Sequence, residues 1–207
     1  MIAFYDDGSF HQATGVSRET LDKLRAYAAL LEKWQRSINL VSSATLPELW
    51  RRHFADSAQL APLIGTETST LRCVDLGSGA GFPGLVLAIM GIGQWTLIDS
   101  DRRKLTFLQE AARITRTSVT LLPARLEQVT GLTADIVTAR ACASLETLLG
   151  YATPLLEPSG KALFLKGRDA AREIDEARKT WNFEVRRIPS QTDPEASIVE
   201  IRNVSST

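Results

Sequence analysis

The 207-residue sequence contains only two cysteines and two histidines, which excludes several kinds of site. Two histidines cannot supply a centre of three imidazoles, and Cys73 and Cys142 lack the spacing of zinc ligands. We therefore expect no metal and two reduced thiols. No apolar run approaches the length of a membrane span, and the N-terminus lacks the basic start and apolar middle of a signal peptide. These absences predict a cytoplasmic protein with no membrane partner.

Net charge is lacking as well, because 24 basic and 24 acidic side chains give a formal charge of +0. This balance argues against a nucleic-acid footprint over the whole surface. The window 99–125 is nevertheless basic, with six basic and three acidic residues. Arg102, Arg103 and Lys104 fall in the first turn of a predicted helix, where the helix dipole disfavours positive charge. Phosphates of an RNA strand explain this cluster, and a solvated basic face explains it equally.

The stretch 71–84, LRCVDLGSGAGFPG, reads as a buried strand, a glycine turn and a helix start. Glycines at 77, 79 and 81 let a ligand approach the backbone closely. A dinucleotide fingerprint needs a glycine where Phe82 stands, and no Lys-Ser/Thr follows to complete a phosphate-binding P-loop. S-adenosylmethionine, which has no pyrophosphate, fits this cradle better. A tight turn without a ligand stays open as an alternative.

Hydrophobic periodicity predicts an α/β fold with a helical N-terminal part. Strands are predicted at 71–76, 94–98, 118–122, 135–139, 160–166, 183–188 and 197–202. Helices are predicted at 17–35, 45–63, 83–90, 101–115, 144–156 and 169–180. The last two strands are joined by a connection too short for a parallel crossover, so they form an antiparallel pair. We expect a seven-stranded, mostly parallel, Rossmann-like sheet of the class I methyltransferase type, with a lobe at 1–68 and a core at 69–207 in one compact unit.

Polar residues at the ends of the predicted strands are candidates for binding and catalysis. Asp99 ends the second strand, where an acid accepts hydrogen bonds from ribose hydroxyls, although it could instead cap the next helix. Asp75 belongs to the same predicted site, with ordering of the glycine loop as its expected role. Arg140 ends the fourth strand and offers fixed donors and a stacking plane to a guanine. The alternative for Arg140 is an ion pair with Asp75 or Glu127.

A pattern in the helical lobe places His53, Asp56 and Ser57 on one face of a helix. This arrangement suits acid–base chemistry, but it is more often a structural hydrogen-bonding pattern. Lys166 and Arg168, at the end of the fifth strand, add positive charge to the edge of the sheet where ligands bind. RNA or solvent are both possible partners for that charge.

Several motifs together resemble one family. They are INLV at 38–41, RHFADS at 52–57, VDLGSGAGFPG at 74–84, IDS at 98–100, RKLTFL at 103–108, ARACASL at 139–145 and LKG at 165–167. This set closely resembles the ribosomal RNA small-subunit methyltransferase G family, also called glucose-inhibited division protein B. The resemblance implies methylation of N7 of one guanine in 16S ribosomal RNA, with S-adenosylmethionine as methyl donor. It also implies 16S RNA or the 30S subunit as partner.

The resemblance places cofactor contacts on Gly77, Phe82, Leu126, Glu127 and Arg140. The predicted cofactor-binding residues are Asp75, Gly77, Gly79, Gly81, Phe82, Asp99, Leu126, Glu127 and Arg140. The predicted RNA-binding residues are Arg102, Arg103, Lys104, Lys166 and Arg168. Arg140, with His53 or Asn39, is predicted to orient the guanine.

The implied chemistry needs no general base, because guanine N7 carries an in-plane lone pair and no proton. Alignment of the reacting atoms then supplies the catalysis. We expect a monomer. Three other functions stay open at the level of the sequence: an NAD-type dehydrogenase, a non-catalytic RNA-binding module on the same fold, and a methyltransferase for a small molecule.

Overall fold

The computed structural model describes residues 6–65, 68–140 and 142–207. The strands are β1 (Arg72–Leu76), β2 (Gln94–Asp99), β3 (Thr120–Pro123), β4 (Ala134–Arg140), β5 (Leu156–Lys166), β6 (Trp181–Pro189) and β7 (Ser197–Ser206). The α-helices are α1 (Asp7–Thr14), α2 (Arg18–Gln35), α3 (Asp56–Ala58), α4 (Ala61–Ile64), α5 (Gly84–Ile89), α6 (Arg102–Thr115), α7 (Leu145–Ala152) and α8 (Ala170–Ala177). Every predicted strand is present.

The seven strands form one sheet in the order β3-β2-β1-β4-β5-β7-β6. β7 pairs antiparallel with both of its neighbours, and the pairs β1–β2, β1–β4, β2–β3 and β4–β5 are parallel. The predicted α/β class and the antiparallel last pair are therefore confirmed. The strand order reverses between β1 and β4, and this switch point opens a crevice at the carboxyl ends of the strands.

The helical lobe differs from the prediction in two ways. Helix α1 was not predicted; Asp6 caps it through a capping box with Ser9. The predicted helix at 45–63 is instead a series of short pieces: a 3₁₀ turn (Leu46–Glu48), a π-helix (Trp50–Ala55), α3 and α4. Pro62 explains one break, because a proline ring clashes with the carbonyl four residues earlier, and α3 ends at that residue.

Aromatic and aliphatic side chains of the lobe share one hydrophobic core with a face of the sheet. Tyr27 of α2 is fully buried, stacks on Phe82 with ring centroids 5.5 Å apart, and donates a hydrogen bond to the carbonyl oxygen of Ala80. Phe54 packs edge-on against both rings. Since the lobe and the glycine loop bury each other, we propose that lobe and sheet fold as one unit. Among the described helices, none combines the length and apolar character that a membrane span requires.

Gly81 gives a test of this packing. Its φ is +97°, and a Cβ there would lie 2.8 Å from Oη of Tyr27 and 2.9 Å from side-chain atoms of Leu85 and Leu108. We expect Gly81→Ala to lower the free energy of unfolding by about 2–4 kcal/mol, from backbone strain and overpacking. Urea unfolding measures this. Gly167→Ala is the control, since a Cβ at Gly167 meets no atom within 4 Å; equal losses in the two variants would contradict the packing argument.

Candidate functional site

The loop after β1 is held in shape by hydrogen bonds to the ends of neighbouring strands. The N–H of Ser78 donates to the carbonyl of Ile98 at 2.8 Å, and the N–H of Gly79 donates to Oδ2 of Asp99 at 2.8 Å. Gly77 and Gly79 have φ of +63° and +57°, which residues with a Cβ rarely adopt. A Cβ on Gly77 would also lie 3.1 Å from Cβ of Cys142. The loop therefore exposes bare backbone towards the crevice.

Two residues predicted to bind the cofactor lie beneath this loop, outside the cavity. Asp75 is fully buried, accepts a hydrogen bond from Oγ1 of Thr138 at 2.7 Å and faces the N–H of Gly84. Burial raises the pKa of Asp75 to about 6, although the bond from Thr138 opposes the shift. Gly81 faces Tyr27 in the lobe. Asp75 thus has the position expected of a residue that orders the loop, and neither residue is among those that line the cavity, so direct contact of either with the cofactor stays a prediction.

Asp99 lies at the end of β2 and lines the cavity. Its Oδ1 accepts the N–H of Asp101 at 2.8 Å, in addition to the bond between Oδ2 and Gly79. The helix-capping alternative is wrong for Asp99, since Asp101 caps α6 by accepting the N–H of Arg103. Each carboxylate oxygen accepts one of these bonds and has capacity for another.

The cavity at the carboxyl ends of the strands has a volume of about 770 Å³. It brings together seven of the nine predicted cofactor-binding residues. These are Gly77, Gly79, Phe82, Asp99, Leu126, Glu127 and Arg140. The lobe contributes the segment around Leu40 and Val41, and the connection between β6 and β7 contributes Ser190 and Asp193. The cavity size is that of a site for a cofactor-sized molecule.

Arg140 connects the end of β4 to the lobe. Its Nη1 donates to Nδ1 of His53 at 2.8 Å and to the carbonyl oxygen of Arg52 at 3.1 Å, and it lies 3.9 Å from Oδ2 of Asp56. Its guanidinium carbon lies 4.9 Å from the ring centroid of Phe82, within cation–π range. Arg140 does form an ion pair, but the predicted partners Asp75 and Glu127 are wrong, because the acid comes from the lobe.

His53 is buried at the wall of the cavity, and both of its ring nitrogens are used. A guanidinium only donates hydrogen bonds, so Nδ1 accepts from Arg140 and the proton resides on Nε2. Nε2 then donates to Oγ1 of Thr45 at 2.8 Å, and that hydroxyl donates to the carbonyl of Ser42 at 2.9 Å. Burial lowers the pKa of His53 to about 3, helped by the charges of Arg140 and Arg52. His53 is therefore a neutral acceptor that supports Arg140.

The predicted cluster of His53, Asp56 and Ser57 separates in the structure. Oγ of Ser57 donates to the carbonyl of His53 at 2.7 Å and is completely buried. Only His53 and Asp56 face Arg140. Cys142 lines the cavity, and burial raises the pKa of its thiol to about 11, with Asp75 adding to the shift. A protonated thiol is a poor nucleophile.

Asn39, predicted to help orient the guanine, and Lys166, predicted to bind RNA, both make contacts within the protein. Asn39 is exposed and contacts Gln35, while its neighbours Leu40 and Val41 form the cavity wall. Lys166 is buried: its Nζ lies 2.7 Å from Oε2 of Glu173 and donates to the carbonyl of Ala143 at 2.6 Å. Asn39 is therefore not among the residues that line the cavity, whereas Lys166 lines it with its ammonium held by internal partners, and the roles of both residues stay predictions.

Two of the other predicted RNA-binding residues line cavities of the protein, and two are exposed elsewhere on the surface. Lys104 lines the cavity itself, and Arg102 lines an adjoining cavity of about 960 Å³ at the edge strand β3. The two cavities share Ser100, Ala124 and Arg125. Arg103 and Arg168 are exposed and pair with Asp101 and Glu195, both at surface positions. Lys104 and Arg102 therefore line two adjoining cavities, whereas Arg103 and Arg168 are not among the lining residues of either.

The contributions of Asp56 and of the connection 190–196 were not predicted from the sequence. Asp56 was noted only as part of a helix-face pattern, and its position 3 residues after His53 was the one available signal. Residues 190–196 read only as a connection between strands. The antiparallel pairing of β6 with β7 was predicted from this short connection, but the place of residues 190–196 in the wall also depends on β7 lying beside β5, which was not predicted.

The protonation state of His53 can be tested directly. We expect the imidazole to stay neutral, with the proton on Nε2, from pH 5 to pH 8, because its pKa in the fold is about 3. Nitrogen-15 NMR of the histidine rings measures tautomer and titration. The urea-unfolded protein serves as control, where His53 titrates near the ordinary value of about 6.5. A midpoint between pH 6 and 7 in the folded protein would contradict the assignment.

The sequence matches one protein family over most of its length. The family model described as rRNA small subunit methyltransferase G matches residues 20–199. Ribosomal RNA small subunit methyltransferase G of Paramagnetospirillum magneticum is 55% identical over 192 residues, which cover 93% of each chain. The protein of the same name from Rhodospirillum centenum is 52% identical over 196 residues, covering 95% of this chain and 90% of the relative.

Solved structures show the same fold at low identity. Ribosomal protein L11 methylase of Lactobacillus delbrueckii subsp. bulgaricus superposes with a TM-score of 0.57 and 17% identity, covering 71% of this chain and 78% of that one. This similarity concerns the fold alone. The family match spans most of the sequence and includes the glycine loop, Arg140 and the lobe residues that hold it. The chain belongs to the rRNA small subunit methyltransferase G family.

Proposed function

We propose that this protein transfers a methyl group from S-adenosylmethionine to N7 of a guanine in 16S ribosomal RNA. Membership of the rRNA small subunit methyltransferase G family is the observation that carries the proposal. The crevice at the switch point of the sheet supports it, because ligands of open α/β sheets bind there. We further propose that the enzyme acts in the cytoplasm as a monomer.

The cavity fits S-adenosylmethionine, and its residues suggest how the cofactor would be held. The glycine loop leaves room for backbone contact at Gly77, where a Cβ would crowd Cys142. Asp99 presents a carboxylate suited to ribose hydroxyls, and Leu126 and Glu127 lie on the segment after β3 that would contact the adenine. When bound, S-adenosylmethionine supplies an electrophilic methyl group on a sulfonium. These contacts are part of the proposal.

The residues near Arg140 suit a reaction that needs orientation and no proton transfer. His53 uses both ring nitrogens within the protein and is neutral, and Cys142 is a protonated thiol. Neither is disposed to remove a proton, and guanine N7 carries none. Arg140 presents the face of its guanidinium beside Phe82, a geometry suited to holding a planar base. We propose that Arg140 orients the guanine, with His53 fixing the direction of the guanidinium.

The basic residues around the cavity mouth suggest the path of the RNA. Arg102 and Arg125 flank the adjoining cavity, and Lys104 lies where it meets the cofactor cavity. Phosphates bound along this depression would place one base at Arg140 while the strand stays on the surface. Arg168, on the exposed side beyond β5, is a further candidate for a phosphate contact. We propose 16S RNA, either free or within the 30S subunit, as the substrate.

Methyl transfer to RNA is the first test of the proposal. Wild-type protein, isotopically labelled S-adenosylmethionine and unmethylated 30S subunits should give labelled 16S RNA. We expect Arg140→Ala to lower the rate at saturating cofactor by about 100-fold, a typical contribution of precise positioning. Glu146→Gln, an exposed change on α7, is the control.

Each other outcome of this assay identifies another function. RNA that binds without acquiring label would indicate a non-catalytic RNA-binding module. Label in a small molecule of a cell extract would indicate a different acceptor. Full transfer by Arg140→Ala at saturating cofactor would contradict the proposed role of Arg140.

The RNA path is tested on helix α6, which carries a matched pair of arginines. Arg102 lies in the first turn beside the cavity, whereas Arg113, in the last turn, forms two hydrogen bonds with Glu110 at 2.8 and 2.7 Å. We expect Arg102→Ala to weaken RNA binding about three- to tenfold and to reduce the salt dependence by about one counterion. Arg113→Ala should change neither. Salt-dependent filter binding measures both, and equal effects would place the RNA elsewhere.

A further inference from the structure

Asp56 stands out as a largely buried acid to which the proposed chemistry gives no role. Its side chain is 17% exposed, and its Oδ2 faces Nη1 of Arg140 at 3.9 Å. Oδ1 accepts a hydrogen bond from Oγ1 of Thr192 at 2.7 Å and another from Nε2 of Gln59 at 2.8 Å. The carboxylate is thus fixed on one side by the lobe and by the β6–β7 connection. Its other side is directed at Arg140.

The pairing of Asp56 and Arg140 is more than a surface ion pair. The side chain of Arg140 is only 19% exposed, and burial lowers its pKa while Asp56 is the largest influence in the opposite direction. Burial raises the pKa of Asp56, and Arg140 opposes that shift in turn. Each charge is therefore stabilised by the other. A buried guanidinium that lost its counter-charge would turn towards water, which here means the cavity.

A carboxylate of the β6–β7 connection, that of Asp193, forms a separate ion pair with the lobe. Asp193 accepts a hydrogen bond from Nη1 of Arg52 at 2.5 Å, and this ion pair lies beside the Asp56–Thr192 contact. The β6–β7 connection is consequently attached to the lobe through several contacts, which also include a hydrogen bond from the N–H of Gln191 to Oε1 of Gln59 at 2.9 Å. The contact of Thr192 with Asp56 leads to the guanidinium of Arg140 through a side chain, whereas Arg52 meets that guanidinium through its backbone carbonyl oxygen.

We propose that Asp56 is a positioning residue for methyl transfer: anchored by Thr192 and Gln59, it holds the guanidinium of Arg140 against Phe82. The inference rests on the proposed function of Arg140 and deepens it. Asp56 lines the cavity beside Arg140, and its role in this proposal is exercised through Arg140. The β6–β7 connection thereby becomes part of the device that sets the orientation of the target base.

A double-mutant cycle separates this role from a purely structural one. Asp56→Asn keeps the shape and the hydrogen bonds of the side chain but removes its charge. We expect it to lower kcat in steady-state assays at least tenfold, with KM for S-adenosylmethionine changed less than threefold. In an Arg140→Ala background the same substitution should change kcat less than twofold, since its target is gone. An equal factor in both backgrounds, or full turnover by Asp56→Asn, would overturn the proposal.

Two further variants keep the test decisive if Asp56→Asn folds poorly. Thr192→Val removes one anchoring hydrogen bond without leaving an unpaired charge, and we expect it to lower kcat two- to fivefold. Glu48→Gln removes an exposed lobe carboxylate that pairs with Arg51, and it should have no effect. Unchanged turnover by Thr192→Val would contradict the anchoring role. Thermal unfolding of each variant, followed by circular dichroism, sets a temperature at which all are folded.

A readout independent of methylation distinguishes failure of this inference from failure of the proposed function. Nδ1 of His53 accepts its hydrogen bond from Arg140, so its nitrogen-15 chemical shift reports where the guanidinium lies. We expect Asp56→Asn to move this shift towards that of Arg140→Ala, and Glu48→Gln to leave it unchanged. If wild-type protein methylates no RNA, the proposed function fails, while the shift still tests the link between Asp56 and Arg140. An unmoved shift in Asp56→Asn would refute that link.

Discussion

The site depends on the desolvation of one cation, the guanidinium of Arg140. A charge removed from water is costly unless groups of the protein replace the solvent. Here the replacement comes from the lobe: the ring nitrogen of His53, the carbonyl of Arg52 and the carboxylate of Asp56. The lobe is therefore required for the site, because the sheet alone would leave this charge without partners. That requirement explains why lobe and sheet share a core.

The glycine loop meets a second constraint that the lobe also satisfies. Its backbone faces the crevice with little side-chain cover, so its shape has to be set from behind. Asp75 and Thr138 fix it from the sheet, Asp99 fixes it from β2, and Tyr27 closes it from the lobe. Phe82 belongs to both constraints, since it stacks on Tyr27 and lies under Arg140. Through this ring, the packing that orders the loop also supports the guanidinium.

Much of the fold was predictable because its signals are local. Buried strands, glycine turns and capped helices each show within a few residues, and all seven strands were predicted. The crevice residues at strand ends, such as Gly77 and Asp99, follow from the rule that parallel strands end at one edge. The π-helix at Trp50–Ala55, which interrupts the predicted lobe helix, was not predicted from the sequence.

The partners of charged residues were the least predictable part of the site. Lys166 looked like a surface cation, yet Glu173 neutralises it inside the protein. The alternative considered for Arg140 was an ion pair with Asp75 or Glu127, whereas the acid that it faces, Asp56, comes from the lobe. Asn39 lies one residue away from the cavity wall, a distinction set by the path of the chain between α2 and the following 3₁₀ turn. The contact between Arg140 and Asp56 joins residues far apart in sequence, which local patterns do not specify.

The proposed roles of Arg140 and Asp56 both depend on methylation of N7 of one guanine in small-subunit ribosomal RNA by this protein. Mass-spectrometric mapping of 16S RNA from the source organism with the gene deleted tests it most directly. We expect one guanine to lose its N7 methyl group on deletion and to regain it when the wild-type gene is returned. Returning a gene that encodes Arg140→Ala should not restore the methyl group. The persistence of every N7-methylguanine in the deletion strain would contradict it.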